Sequence, residues 1–138
     1  MKKFIALAVT FFSLIVGVAN ADVTQQYMGF NCSLTSFKVT IVSGYMVYKA
    51  GTSCGGSEVN YEKQIDYVEL YDATTSTVID SIGASGWKTS NPVQESQSSD
   101  PVHCTSGHTY QVISGGEVKH NTSLAQITNL YSDGYVCP

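Results

Sequence analysis

Polar and apolar residues alternate along much of this chain, and the alternation has a period of two. Phe37, Val39 and Ile41 are interleaved with Ser36, Lys38 and Thr40. Successive side chains of a strand point to opposite faces, so the pattern predicts a strand over Thr35–Val42 with the three apolar residues inward. Ser43-Gly44 turns the chain, and Tyr45–Lys49 continues as strand. Ile65–Asp72 (IDYVELYD) alternates as cleanly. Val68 and Leu70 share one face with Asp66 and Asp72, while Ile65, Tyr67, Glu69 and Tyr71 share the other. Ala73–Ser76 then links to a partner strand, Thr77–Ile82, which makes a β-hairpin.

Weaker segments follow the same logic. Val23–Phe30 predicts a first strand and Ser85–Lys88 a short one around Trp87. His108–Ser114 predicts a late strand that Gly115-Gly116 bends or bulges, with Val118–His120 extending it. Leu124–Tyr131 fits helical spacing at Leu124, Ile127 and Tyr131. It also fits a strand at Ala125, Ile127 and Tyr131, with Asn129 interrupting. Strand is preferred, because threonine and asparagine occur there and no good helix cap is in place. Asp133-Gly134 is a turn before a closing strand, Tyr135–Cys137. Two stretches read as loops: the small, glycine-rich Ala50–Ser57 and the polar, proline-bearing Thr89–Pro101. Short strands separated by turns predict one all-β domain, an antiparallel β-sandwich or small barrel.

One segment favours the sandwich. Ser106-Gly107-His108-Thr109-Tyr110-Gln111-Val112 resembles the tyrosine-corner region of immunoglobulin-like domains, where a Tyr near the start of a late strand precedes an inward position by two residues. The resemblance implies an immunoglobulin-like sandwich. Val112 stands where antibody domains carry a cysteine, so any disulfides here differ from that core bridge.

The start of the chain breaks the alternation. Met1, Lys2 and Lys3 precede an uncharged apolar run, Phe4–Ala19, and Ala19-Asn20-Ala21 places small residues where a signal peptidase reads. The run is shorter than the roughly 20 residues that span a bilayer. The expectation is a cleaved signal peptide, 1–21, of bacterial type, and a single secreted domain, 22–138. No later stretch is apolar enough to cross a membrane.

The whole chain has 7 Lys+Arg against 11 Asp+Glu, a net charge of −4. All the cations are lysines, and Lys2 and Lys3 leave with the signal. Without arginine and with net negative charge, binding to nucleic acid or to an anionic membrane surface is disfavoured.

Cys32, Cys54, Cys104 and Cys137 form an even set in an exported chain, which predicts disulfides. Three pairings exist. Cys32–Cys54 with Cys104–Cys137 is preferred, because each bridge ties down one end of the chain. His103, Cys104 and His108 cluster, but no Cys-x-x-Cys or His-Glu-x-x-His supports zinc, so no metal or cofactor is expected.

Catalytic patterns are thin. Gly83-Ala84-Ser85-Gly86 lacks the glycine spacing of a serine-hydrolase elbow. Glu58, Glu62, Asp66, Glu69, Asp72 and Asp80 concentrate acidity, and paired carboxyls serve glycosidases. All nine tyrosines lie beyond the signal. Tyr67 and Tyr71 share a strand face with Glu69 between them, and tyrosine is enriched at binding surfaces. Tyr67, Glu69 and Tyr71 are therefore the candidate binding residues. The expected function is non-catalytic binding of an extracellular protein or glycan, as in a toxin, inhibitor or surface factor. A small secreted hydrolase using acidic or histidine residues is the competing reading.

Overall fold

The computed structural model describes residues 22–99 and 103–138, so the expected signal peptide lies outside the described residues. The strands are β1 (Val23–Gln26), β2 (Cys32–Ser36), β3 (Thr40–Val42), β4 (Tyr45–Cys54), β5 (Glu62–Asp72), β6 (Thr77–Ile82), β7 (Val93–Ser98), β8 (Thr109–His120), β9 (Ser123–Tyr131) and β10 (Tyr135–Val136). A 3₁₀ turn, Gly56–Glu58, precedes β5. All pairings between strands are antiparallel.

The strands form two sheets. Thr52 pairs with Leu34 of β2 and Val93 of β7, and Val47 pairs with Thr40 of β3 and Ser98 of β7. β2 and β3 therefore share one side of β4 while β7 takes the other, and β1 lies outside β2. In the second sheet β8 holds β5 on one side. β9 and β10 share its other side, and β6 lies outside β5. The sheets pack face to face in a sandwich-like arrangement. Leu34, Met46, Tyr48 and Ala50 from the first meet Ile65, Val68, Leu70, Val112 and Val118 from the second.

Polar groups tie the layers together. Ser114 Oγ donates to Ser36 Oγ at 2.6 Å, and Ser36 Oγ donates on to the Leu130 carbonyl at 2.7 Å. Both serines are fully buried, and a buried hydroxyl without a partner would cost about 1–3 kcal/mol.

Both expected disulfides are present. Cys32 and Cys54 face each other across β2 and β4, with Cα atoms 3.9 Å apart. Cys104–Cys137 joins the segment before β8 to the residue after β10. In the chain-entropy account such loops contribute about 3–4 kcal/mol each. The tyrosine-corner resemblance holds locally, because the buried Tyr110 hydroxyl accepts the Thr105 N–H at 2.8 Å, and Val112 is inward. The likeness stops there: β1, β2 and β4 follow one another in a single sheet.

Several expectations change. The first strand ends at Gln26, because Tyr27–Phe30 forms a turn closed by Phe30 N–H to Tyr27 O. Thr35–Val42 is two short strands rather than one. Val39 is buried at the break, but Phe37 lies beneath the Lys49 ammonium on the outer side, and Ile41 is exposed. Ala50–Cys54 is not loop. It is the second half of the central strand β4, whose small residues fit because Phe37 and Gln94 lie against Gly51. Val93–Ser98, expected within a loop, pairs with β4 as an edge strand whose polar residues face solvent. Ser85–Lys88 makes only an isolated bridge, between Lys88 and Lys63. Ile65 is buried instead of sharing the face of Tyr67, because β5 shifts register between Ile65 and Tyr67. That bulge turns both Asp66 and Tyr67 outward.

Gly115-Gly116 is the second irregularity, where β8 shifts register against β9. A Cβ on Gly116 would collide with the Tyr27 hydroxyl and come within 3.2 Å of the Gln64 carbonyl. The Tyr27 hydroxyl itself pairs with Thr52 Oγ1 at 2.8 Å. Gly116→Ala is therefore expected to cost about 1–3 kcal/mol, the usual range for overpacking. Adding Tyr27→Phe removes the colliding oxygen and recovers part of that loss. Urea unfolding of the single and double variants checks it; simple additivity of the two losses would be the contrary result.

Candidate functional site

The outer face of the second sheet gathers the candidate binding residues. After the bulge, Tyr67, Glu69 and Tyr71 of β5 point outward while Val68, Leu70 and Asp72 are buried. In register, Tyr67 faces Gly115, Glu69 faces Ile113, and Tyr71 faces Gln111 of β8. Ile113 in turn faces Tyr131 of β9. The Tyr71 and Tyr131 rings meet edge to face, with centroids 6.1 Å apart. Ile113 is only 4% exposed although it points outward, so its neighbours cover it. Val78 of β6 extends the patch opposite Tyr71. It is 46% exposed, and Tyr131 is 44% exposed.

Tyr67 differs from the other two tyrosines. Its ring lies across Gly115, where a Cβ would approach Tyr67 Cε1 to 2.5 Å. Its hydroxyl accepts the Asn129 N–H at 2.7 Å and donates to Asn129 Oδ1 at 3.1 Å. Asn129 has a φ of 53°, in the left-handed region that asparagine tolerates better than most residues. The interruption foreseen in β9 is thus held in place by Tyr67. Among the described residues, the hydroxyls of Tyr71 and Tyr131 make no hydrogen bond, and Glu69 makes no ion pair.

A carboxyl pair adjoins the tyrosines. Asp66 sits at the bulge, and Glu117 of β8 lies opposite Gln64 of β5 and Gln126 of β9. Gln64 Nε2 donates to Glu117 at 2.5 Å, and Gln126 Nε2 to Asp66 at 3.3 Å. Burial, with the hydrogen bond and charge of Glu117, pushes the Asp66 carboxyl up to about 6, against the relief given by the two glutamines. Glu117 is close enough for its charge to act on the Asp66 carboxyl. A glycosidase pair needs a gap of roughly 5 Å or more for the sugar bond.

The remaining acidic residues disperse. Glu58 holds the Asn31 N–H, Glu62 faces Lys119 at 3.8 Å, and Asp80 accepts from Gln97. Asp72 accepts from the Thr74 and Thr75 N–H groups and pairs with His108 Nδ1 at 2.7 Å. Burial works against its charge, but the His108 contact and those N–H groups prevail and hold it below the usual carboxylate range. Among the described residues no serine or threonine hydroxyl bonds to the other His108 nitrogen, so this pair lacks a nucleophile. The histidines also scatter: His103 packs at a tilt against Tyr45, and His120 stacks on Tyr61. Cys104 is bridged, and no group of three or more His, Cys, Asp or Glu residues among the described residues is placed to hold a metal.

Tyr131, Ile113 and Glu117 escaped the sequence reading. Their membership depends on which residues face one another across β5, β8 and β9, and no local pattern in one strand encodes that. No family model matches the chain, and no curated protein is similar to it.

The carboxyl pair makes a signed prediction. The Asp66 carboxyl moves from an ordinary 3.8 to about 6 on folding. Between those values the folded chain keeps a proton that the unfolded chain releases, so stability falls as pH rises through that window. Glu117→Gln removes the neighbouring charge. The Asp66 side chain, followed by carbon-13 NMR, is expected to titrate closer to the ordinary value, and the loss of stability across the window to flatten. An unmoved Asp66 midpoint would disprove the pairing.

Proposed function

We propose that this is a small secreted protein that acts without catalysis, binding an extracellular protein or glycan partner through the outer face around Tyr67, Glu69 and Tyr71. The observation that carries the proposal is the assembly of Tyr67, Tyr71 and Tyr131 from two strands around Glu69 and Ile113. Tyrosine offers broad, rigid contact area at low entropic cost, with a hydroxyl for hydrogen bonding. Tyr67 is already immobilised by Asn129, which lowers the cost of ordering the face on binding. Two disulfides fit an oxidising extracellular environment. No helix among the described residues is long and apolar enough to cross a membrane.

A secreted hydrolase remains the second reading, favoured by one observation: Glu117 beside Asp66 helps to raise its carboxyl, as neighbouring carboxyls do in catalytic dyads. Their position on an open sheet face, with glutamine amides as neighbours, gives no pocket to exclude water.

The test uses the purified protein as bait in the extracellular fluid of its own organism, beside a glycan array. The double variant Tyr71→Ser/Tyr131→Ser breaks no internal hydrogen bond and, with its fold checked by circular dichroism, is expected to lose the captured partner. Loss of one such anchor typically costs roughly 1–2 kcal/mol of binding, tenfold or more. Tyr67→Ser is expected to lower stability as well. Equal capture by wild type and the double variant would refute the face. Turnover in an ester and glycoside screen, abolished by Glu117→Gln, would establish the hydrolase instead.

A further inference from the structure

Three connections meet at the end of the sandwich away from the Ser43-Gly44 hairpin: the β1–β2 turn, the β4–β5 loop and the β8–β9 hairpin. They enclose a cleft of about 530 Å³, walled by Met28 and Phe30, by Glu58 and Tyr61, and by His120 and Leu124. That size lies within the range of ligand sites. Tyr61 and His120 stack with centroids 4.0 Å apart and planes 3° from parallel, and Phe30 sets its ring at 88° to Tyr61. The walls are therefore preformed.

Two features call for an occupant. First, large apolar side chains of the lining stand in water, Met28 at 92% exposure and Leu124 at 59%. Met28 is held out by its turn, where Phe30 N–H bonds Tyr27 O and Gly29 has a φ of 79°, the geometry of a type II turn. Second, Glu58 is the only carboxylate in the lining among the described residues. Its Oε2 accepts the Asn31 N–H at 2.5 Å, and Oε1 has no partner among the described residues. The Lys63 ammonium beneath this loop does not neutralise it. It is fully buried and donates to the Val59 and Tyr61 carbonyls at 2.9 and 2.7 Å.

We propose that this cleft binds a basic, apolar-flanked segment of a partner protein. A lysine or arginine side chain reaches Glu58, its aliphatic stem lies against the Phe30, Tyr61 and His120 rings, and a neighbouring apolar residue covers Met28 and Leu124. A cation gains from both the carboxylate and the aromatic rings. The chain's net charge of −4 draws such a segment in. A sugar would stack on the rings and meet the Thr122 and Ser123 hydroxyls, but it carries no positive charge to pair with Glu58 and no apolar side chain to cover Met28 and Leu124. The cleft involves none of the tyrosine-face residues, so either site can fail while the other stands.

The probe is an acetylated hexapeptide of alternating leucine and lysine, titrated into nitrogen-15-labelled protein. Controls are the same peptide with glutamate for lysine, and cellotetraose. The leucine-lysine peptide is expected to shift saturably the amides of Met28, Gly29, Phe30, Glu58, Tyr61, His120 and Leu124. Glu58→Gln, which still accepts the Asn31 N–H, is expected to weaken binding about tenfold, the equivalent of one charge-assisted contact. Leu124→Ser, an exposed position, weakens it too, whereas Val42→Ser at the opposite end leaves it unchanged. The proposal is overturned if the peptide shifts none of these amides, if the glutamate peptide binds as well, or if Glu58→Gln binds like wild type. Cellotetraose moving the same amides in place of the peptide would make the cleft a glycan site and overturn it equally.

Discussion

Two adjacent glycines pressed between two tyrosines govern the second sheet. Tyr67 lies across Gly115 on the outer side, and the Tyr27 hydroxyl occupies the space beside Gly116 on the inner side. A side chain at either position would force its ring away. Outside, that would release Asn129 and the irregular register of β8 and β9. Inside, it would break the Tyr27–Thr52 hydrogen bond that joins the first turn to the central strand. Glycine weakens a strand by about 0.5–1 kcal/mol relative to alanine. Here the rings fill the space that the missing side chains leave, and this contact offsets the weakness.

The same constraint shapes the surface. The bulges beside Tyr67 and Gly115 turn Asp66 and Tyr67 to one side together, which sets the carboxyl pair next to the tyrosine face. At the far end, the three loops around Met28, Glu58 and His120 hang from strand ends that the Cys32–Cys54 bridge and the β5–β8 ladder hold rigidly. The two candidate surfaces thus sit on stiff elements, as accurate recognition requires.

Strands with strong alternation were readable directly. Val68 and Leu70 are inward, Tyr67 and Tyr71 outward, and the Ile65–Ile82 hairpin forms, because a half-buried strand imposes its period on its residues. Reading failed where burial on both sides removes the alternation. Ala50-Gly51-Thr52 looks like a flexible loop by composition, yet it is the middle of the central strand, where neighbours on both faces accept only small side chains. It failed again at Val93–Ser98, whose polarity is that of an edge strand facing water. The phase slip at Asp66 was invisible, since one inserted residue changes a face without changing composition.

Local chemistry thus determined the all-β class and many of the turns, because backbone preference acts over short distances; it left three cysteine pairings open, and the structure holds the preferred one. The candidates Tyr67, Glu69 and Tyr71 were also legible, as three residues on one face of one strand. Tertiary structure alone decided that Tyr131, Ile113 and Glu117 join them, that Glu117 lies near Asp66 and raises its carboxyl, and that Met28, Glu58 and Leu124 face a common cleft. Those relations arise from register between strands distant in sequence. Register is set by the summed packing of the whole sandwich, so no segment carries it by itself.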